Sequence, residues 1–284
     1  MTFDLMLPTA LILIALATIL LYSKLEKRVK TLFEEKEFTI KDALLIVIAM
    51  GTMITVLVIV PSQAILVLFL WVFSVALFMI TYLISQKWYL GFVGPVAFLG
   101  LYFLFKDTSV WNYYLLNLFA IFFIVFITVY VGSFFTWKTT FAFAAFLTIM
   151  DIIQVLGTGY MITTSKKILD LSLPIFIVLP TVPSLDVLMA LGLGDLFLTG
   201  LLGIQTEKKY GRRFAIMAIV SMATVFGIVE AIMLTYFPHQ GLPATVMIFG
   251  GWLIAVATRV SWKKLEEEMP GVRKHYLDTV SMKN

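Results

Sequence analysis

Nine separate runs of roughly 20 mostly apolar residues constrain this chain more than any other feature, because about 20 such residues are what a helix needs to cross a bilayer. They cover about 5–23, 42–60, 62–85, 88–105, 111–134, 138–163, 183–206, 213–237 and 242–261. Only 13% of residues are charged and 61% are hydrophobic, whereas an average soluble domain carries about 25% charged residues. Mean hydropathy is +1.00. The expected fold is therefore an all-α polytopic membrane protein with nine transmembrane helices. The fourth run, interrupted by Gly91, Gly94, Pro95 and Gly100, is the weakest, and "VPSQ" (Val60 to Gln63) marks a turn between the second and third. The first run has no basic region before it and no small-residue cleavage site after it, so it reads as a retained span rather than a signal peptide.

Nine crossings sort the basic residues. Of the 21 Lys and Arg, all but Lys106, Lys166 and Lys167 fall on one side. Cytoplasmic loops are enriched in such residues, so the N-terminus is expected outside and the C-terminus in the cytoplasm. The net charge of +4 then reports topology, and no nucleic-acid partner is expected. The cysteine count is zero, which excludes disulfides, iron–sulfur clusters and thiolate catalysis. His239 and His275 lie far apart outside the apolar runs, so no metal and no cofactor are expected. The segment from Lys24 to Asp42 reads as a solvated loop or one partly helical at the membrane surface, and the tail from Ser261 as a short amphipathic or loose cytoplasmic end. No internal repeat is visible. The compact chain suits a prokaryotic cell membrane.

Three acids sit where lipid should be: Asp151, Asp195 and Glu230. A carboxylate at the centre of a spanning helix costs roughly 2.5–3.5 kcal/mol, so each needs a partner or a function. Counted along the expected sixth and seventh helices, Asp151 and Asp195 lie about 11–13 residues from either end, at matching depth. Consecutive antiparallel helices commonly pack together, which would bring the two carboxylates face to face at the midplane. Two carboxylates in a low-dielectric site cannot easily both ionise and tend to share a proton. Such a pair offers an acid and a base for hydrolysing a peptide bond without metal or covalent intermediate. It equally suits a proton relay or ion-coupling site in a transporter, and depth alone leaves both open. Gly192 and Gly194 flank Asp195 without side chains and leave room for a partner helix or substrate.

The letters around the acids resemble the presenilin and signal peptide peptidase family of intramembrane aspartyl proteases. The resemblance is carried by "GLGD" (Gly192 to Asp195) in the seventh run, an aspartate in the middle of the sixth, and "LPA" (Leu242 to Ala244) opening the ninth. It covers residues 138–261; the first five runs match only as hydrophobic segments. It implies a presenilin-like bundle in which 1–134 forms a five-helix part and 135–284 the catalytic part. Asp151 and Asp195 become the catalytic pair, and the family's proline-alanine-leucine motif maps onto Pro243, Ala244 and Thr245, beside the active site. Two positions depart from the pattern: Met150 stands where the family usually has tyrosine, and Thr245 replaces leucine, which implies altered packing near the substrate. The chain lacks the long segment between spans six and seven at which presenilins are cut, so a single-chain enzyme without obligatory partner subunits is expected. The N-out, C-in orientation is that of signal peptide peptidases and implies type II membrane substrates.

Other residues carry weaker expectations. "IFIVL" between Pro174 and Pro180 is too short to span and rich in strand formers. It is read either as an extended segment that adds a substrate strand or as a loop packed on the mouth of the bundle. Gln154 and Thr199 fall on the helix faces of Asp151 and Asp195 and either tune the pair or make interhelical hydrogen bonds. Glu230 is expected to face a polar cavity or to snorkel outward. Trp88, Tyr89, Trp111, Tyr113, Tyr114, Trp137 and Trp252 are read as interface anchors.

Overall fold

The structure, a computed structural model, describes residues 3–32, 37–183, 188–237 and 243–268. Helices α1 (Met6–Leu32), α2 (Ile40–Ile59), α3 (Ser62–Ser85), α4 (Val93–Phe105), α5 (Leu116–Gly132), α6 (Trp137–Ile152), α7 (Tyr160–Asp170), α8 (Leu193–Tyr210), α9 (Arg212–Tyr236) and α10 (Ala244–Glu268) surround one small sheet of β1 (Phe176–Pro180) and β2 (Leu188–Gly192). Side-chain caps set several helix starts. Thr39 and Asp42 form a capping box on α2, and Thr136 and Thr139 one on α6. Asp4 accepts the N–H groups of Met6 and Leu7 at 2.9 and 3.0 Å at the head of α1.

Among the described residues, seven helices are long and apolar enough to cross a membrane. The protein is a helical multi-pass membrane protein, and two of the nine expected spans take another form. The fourth becomes a short turn followed by α4, whose 13 residues reach only about 20 Å at helical rise. The seventh is cut at its N-terminal end, because Leu188–Gly192 pairs with β1 and helix begins only at Leu193. Gly192 and Gly194 disfavour helix there, and strand pairing satisfies the backbone instead. The sixth also ends early. A π-helical turn (Ile153–Gly157) closes it, and Gly159, at φ +68°, breaks the chain before the amphipathic α7. His239, His275, Leu242 and the tail beyond Glu268 lie outside the described residues.

Contacts at the two ends of the bundle order the helices. At the hairpin end, the Val182 N–H donates to Asp4, Tyr102 donates to the Leu171 carbonyl, Trp111 to that of Ser172, and Lys167 to that of Val58 at the end of α2. At the opposite end, the Phe38 N–H reaches the Phe134 carbonyl, Gln205 bonds the carbonyls of Gly132 and Phe135, and Lys209 lies over the Trp137 ring. Helix α8 runs through the middle, packed by α1, α5, α6, α9 and α10. Two glycines allow the closest approaches. A Cβ on Gly200 would fall 2.9 Å from Thr128 Cγ2, and one on Gly251 would fall 2.7 Å from the Met222 Cα, so α10 and α9 touch backbone to backbone. Trp111 and Trp252 belong to the interior at 0% and 1% exposure, contrary to the expectation that they anchor the interface. Each spends its indole N–H inside, on Ser172 and Thr206. Trp88, Tyr89, Tyr113 and Tyr114 are exposed.

Candidate active site

Asp151 comes from the last turn of α6 and Asp195 from the first turn of α8. Neither is mid-helix, as depth counting had them, yet both are buried, at 4% and 9% exposure. Helical backbone runs on beyond Asp151 as the π-helical turn to Gly157, whereas α8 begins only two residues before Asp195. The carboxylates lie near enough to repel one another when charged. Asp195 occupies the third position of α8, its carboxylate beside Gly192, the residue capping that helix. A carboxylate there also meets the positive end of the helix dipole.

Thr245, in the first turn of α10, donates its hydroxyl to Asp151 Oδ2 at 2.7 Å. The departure from leucine thus supplies a hydrogen bond to a site carboxylate, beyond the change of packing expected. Pro243 and Ala244 are buried at the head of the same helix, where proline's missing N–H is harmless. The two glycines of "GLGD" divide their work. A Cβ on Gly192 would stand 3.2 Å from Asp195 Oδ2, whereas one on Gly194 would meet nothing within 4 Å. Gly192 clears the carboxylate, and Gly194 faces open space beside it. Gln154 and Thr199 do not reach the pair. Gln154 donates to the Gly51 carbonyl of α2 at 2.8 Å, and Thr199 bonds back to the Asp195 carbonyl at 2.8 Å.

The hairpin completes the site, and its second strand was not expected. "IFIVL" does form a strand, but it lies inside the pair. On its outer edge Asn117 of α5 bonds both the N–H and the carbonyl of Val178 at 2.8 Å. Val178 faces Ala190 in the register, and the Leu193 N–H bonds the Ile175 carbonyl. In an antiparallel ladder the bonded pairs alternate. Ile177 with Leu191 and Leu179 with Met189 therefore exchange the ladder bonds, and Leu188 and Ala190 turn their N–H and carbonyl groups away from β1. Among the described residues nothing pairs with that edge, and it leads along β2 to Gly192, with Asp195 in the first turn of α8.

A cavity of about 500 Å³ lies against this strand, lined by Leu188 to Leu191, Asp195, Phe226, Glu230, Met233 and Ala244, with Lys166 at its rim. Glu230 is among the residues around the cavity and, at 1% exposure, it does not snorkel. No three His, Cys, Asp or Glu side chains cluster as metal ligands among the described residues. Chemically, the site offers two nearby buried carboxylates, space for water, and a strand edge that no described residue pairs.

Compared with known proteins, the chain matches no family model, no curated protein and no solved structure. The likeness to presenilins and signal peptide peptidases rests on the short motifs alone.

Proposed function

We propose that this protein is an intramembrane aspartyl protease, similar to signal peptide peptidases, that hydrolyses peptide bonds of transmembrane segments. The observation that carries the reading is the meeting of Asp151 and Asp195 at the end of a free strand edge. A spanning helix hides its own peptide bonds, so a substrate must unwind before it can be cut. Unwinding exposes N–H and carbonyl groups, which the edge of β2 can pair. The scissile bond then lies by the two carboxylates. The ionised carboxylate takes a proton from water, whose oxygen bonds to the carbonyl carbon. The protonated carboxylate gives its proton to the carbonyl oxygen. Proton transfer to the amide nitrogen then lets the C–N bond break, leaving an acid and an amine. The two aspartates act as one titrating unit. Thr245 orients Asp151 through its hydroxyl, and Gly194 leaves the approach to Asp195 open.

In this reading the chain crosses the bilayer nine times, with α4 and the β2–α8 unit as short crossings. The hairpin end faces outward, the C-terminus lies in the cytoplasm, and substrates are type II membrane segments. No partner subunit and no cofactor enters. The test is cleavage of a model transmembrane peptide by purified protein, comparing the natural chain with Asp151→Asn and Asp195→Asn. Cleavage lost in either variant supports the reading. A folded protein that never cuts, in which the same substitutions alter proton or solute flux in liposomes, replaces it with an ion- or proton-coupled transporter.

A further inference from the structure

Glu230 has no role in the hydrolysis just described, yet it is a buried acid. It is 1% exposed, and neither carboxylate oxygen has a hydrogen-bond partner among the described residues. A buried carboxylate without a partner is costly, and the cost is relieved when a cation or donor arrives. Glu230 lines the same cavity as Asp195 and the free edge of β2. Among the described residues, the other charged groups around it do not neutralise it. Asp4 is near enough to repel it, Asp195 is acidic, and Lys166 is exposed at the rim.

Much of the remaining lining is apolar, with Phe226, Met233 and Leu234 from α9 and Leu7 from α1. An apolar lining with an unpartnered carboxylate beside it suits a long aliphatic stem with a cationic head. At about 500 Å³ the cavity has room for it. We propose that Glu230 selects substrates carrying a lysine or arginine on the outer flank of the scissile bond, within the few residues that pair with β2. The proposal rests on the proteolytic reading, in that the substrate strand is what brings the side chain to the cavity. A basic residue just outside the apolar core of a membrane segment would mark where the chain is unwound and cut.

The experiment measures binding, so that it does not depend on cleavage. Fluorescent model transmembrane peptides carry lysine or norleucine at each of four successive positions outside the apolar midpoint, and are titrated into the Asp151→Asn protein with and without Glu230→Gln. At one position lysine should bind about tenfold tighter than norleucine, and Glu230→Gln should bring that ratio to one. Equal binding at all four positions, or a lysine preference that survives Glu230→Gln, overturns the proposal. The uncleaved norleucine peptides are also given to the natural chain. If they and the lysine peptides all stay intact, proteolysis fails, while the binding ratio still decides the role of Glu230.

Discussion

The two halves of α8 obey different rules. From Leu198 to Thr206 every residue is buried, Gly200 and Gly203 let α1, α5 and α9 approach closely, and Thr199, Gln205 and Thr206 all bond inside the bundle. Three residues before that stretch, Asp195 stands against an open cavity, Gly194 faces empty space, and the strand leading in has a free edge. One half is filled to the density of a protein interior, and the other keeps polar groups waiting. The difference teaches that the broken end is held open by the packed one. Asp4 ties the tip of β1 to the head of α1 through Val182, and Asn117 ties its middle to α5. The free edge of β2 is thereby held in place from the side that is already paired.

That contrast can be broken in graded ways. The largest effect belongs to the carboxylates: Asp151→Asn or Asp195→Asn should reduce peptide cleavage by about 10²–10⁴-fold, the usual worth of a positioned acid or base, while the melting temperature in detergent barely moves. Next comes the packed region, where Gly251→Ala pushes a methyl onto the backbone of Met222 and Ser221. It should cost about 1–3 kcal/mol in reversible unfolding and leave cleavage per folded molecule intact. Thr245→Val removes the bond to Asp151 and should lower cleavage about tenfold, whereas Thr245→Ser should keep most of it. The smallest change is Gly194→Ala, which fits without a clash. It should leave stability alone and slow cleavage a few-fold, as measured by kcat/KM on one peptide.

Much of this molecule was legible in the sequence, and the parts that were not share a cause. Apolar length revealed seven helices, because burial in lipid is a property of composition. It misled at the C-terminal end of the sixth run and the N-terminal end of the seventh, where residues such as Leu188, Met189 and Leu191 are as apolar in a strand as in a helix. Hydropathy cannot tell those two structures apart in a short run. Only Gly192 and Gly194 hinted that the helix starts late. The buried Asp151 and Asp195 carboxylates lie near enough to repel one another when charged, and they come from the last turn of α6 and the first turn of α8, where equal depth along two full spans had been expected. The hydroxyl of Thr245 on Asp151 spans two distant helices, a pairing that local spacing does not reveal. The inward placement of Trp111 and Trp252 was missed similarly, since their partners Ser172 and Thr206 lie far along the chain.

The central claim is that an unwound peptide, paired as a strand on Leu188 to Gly192, is what Asp151 and Asp195 cut. A single scan tests it directly: amide-to-ester replacement at each successive residue of one model substrate on the side that enters the cavity, with kcat/KM read for each. A strand offers only alternate N–H groups to its neighbour, so losses of about tenfold should fall on every second residue, with little change between them. A flat response, or losses recurring every three to four residues as a helical substrate would give, would contradict the account.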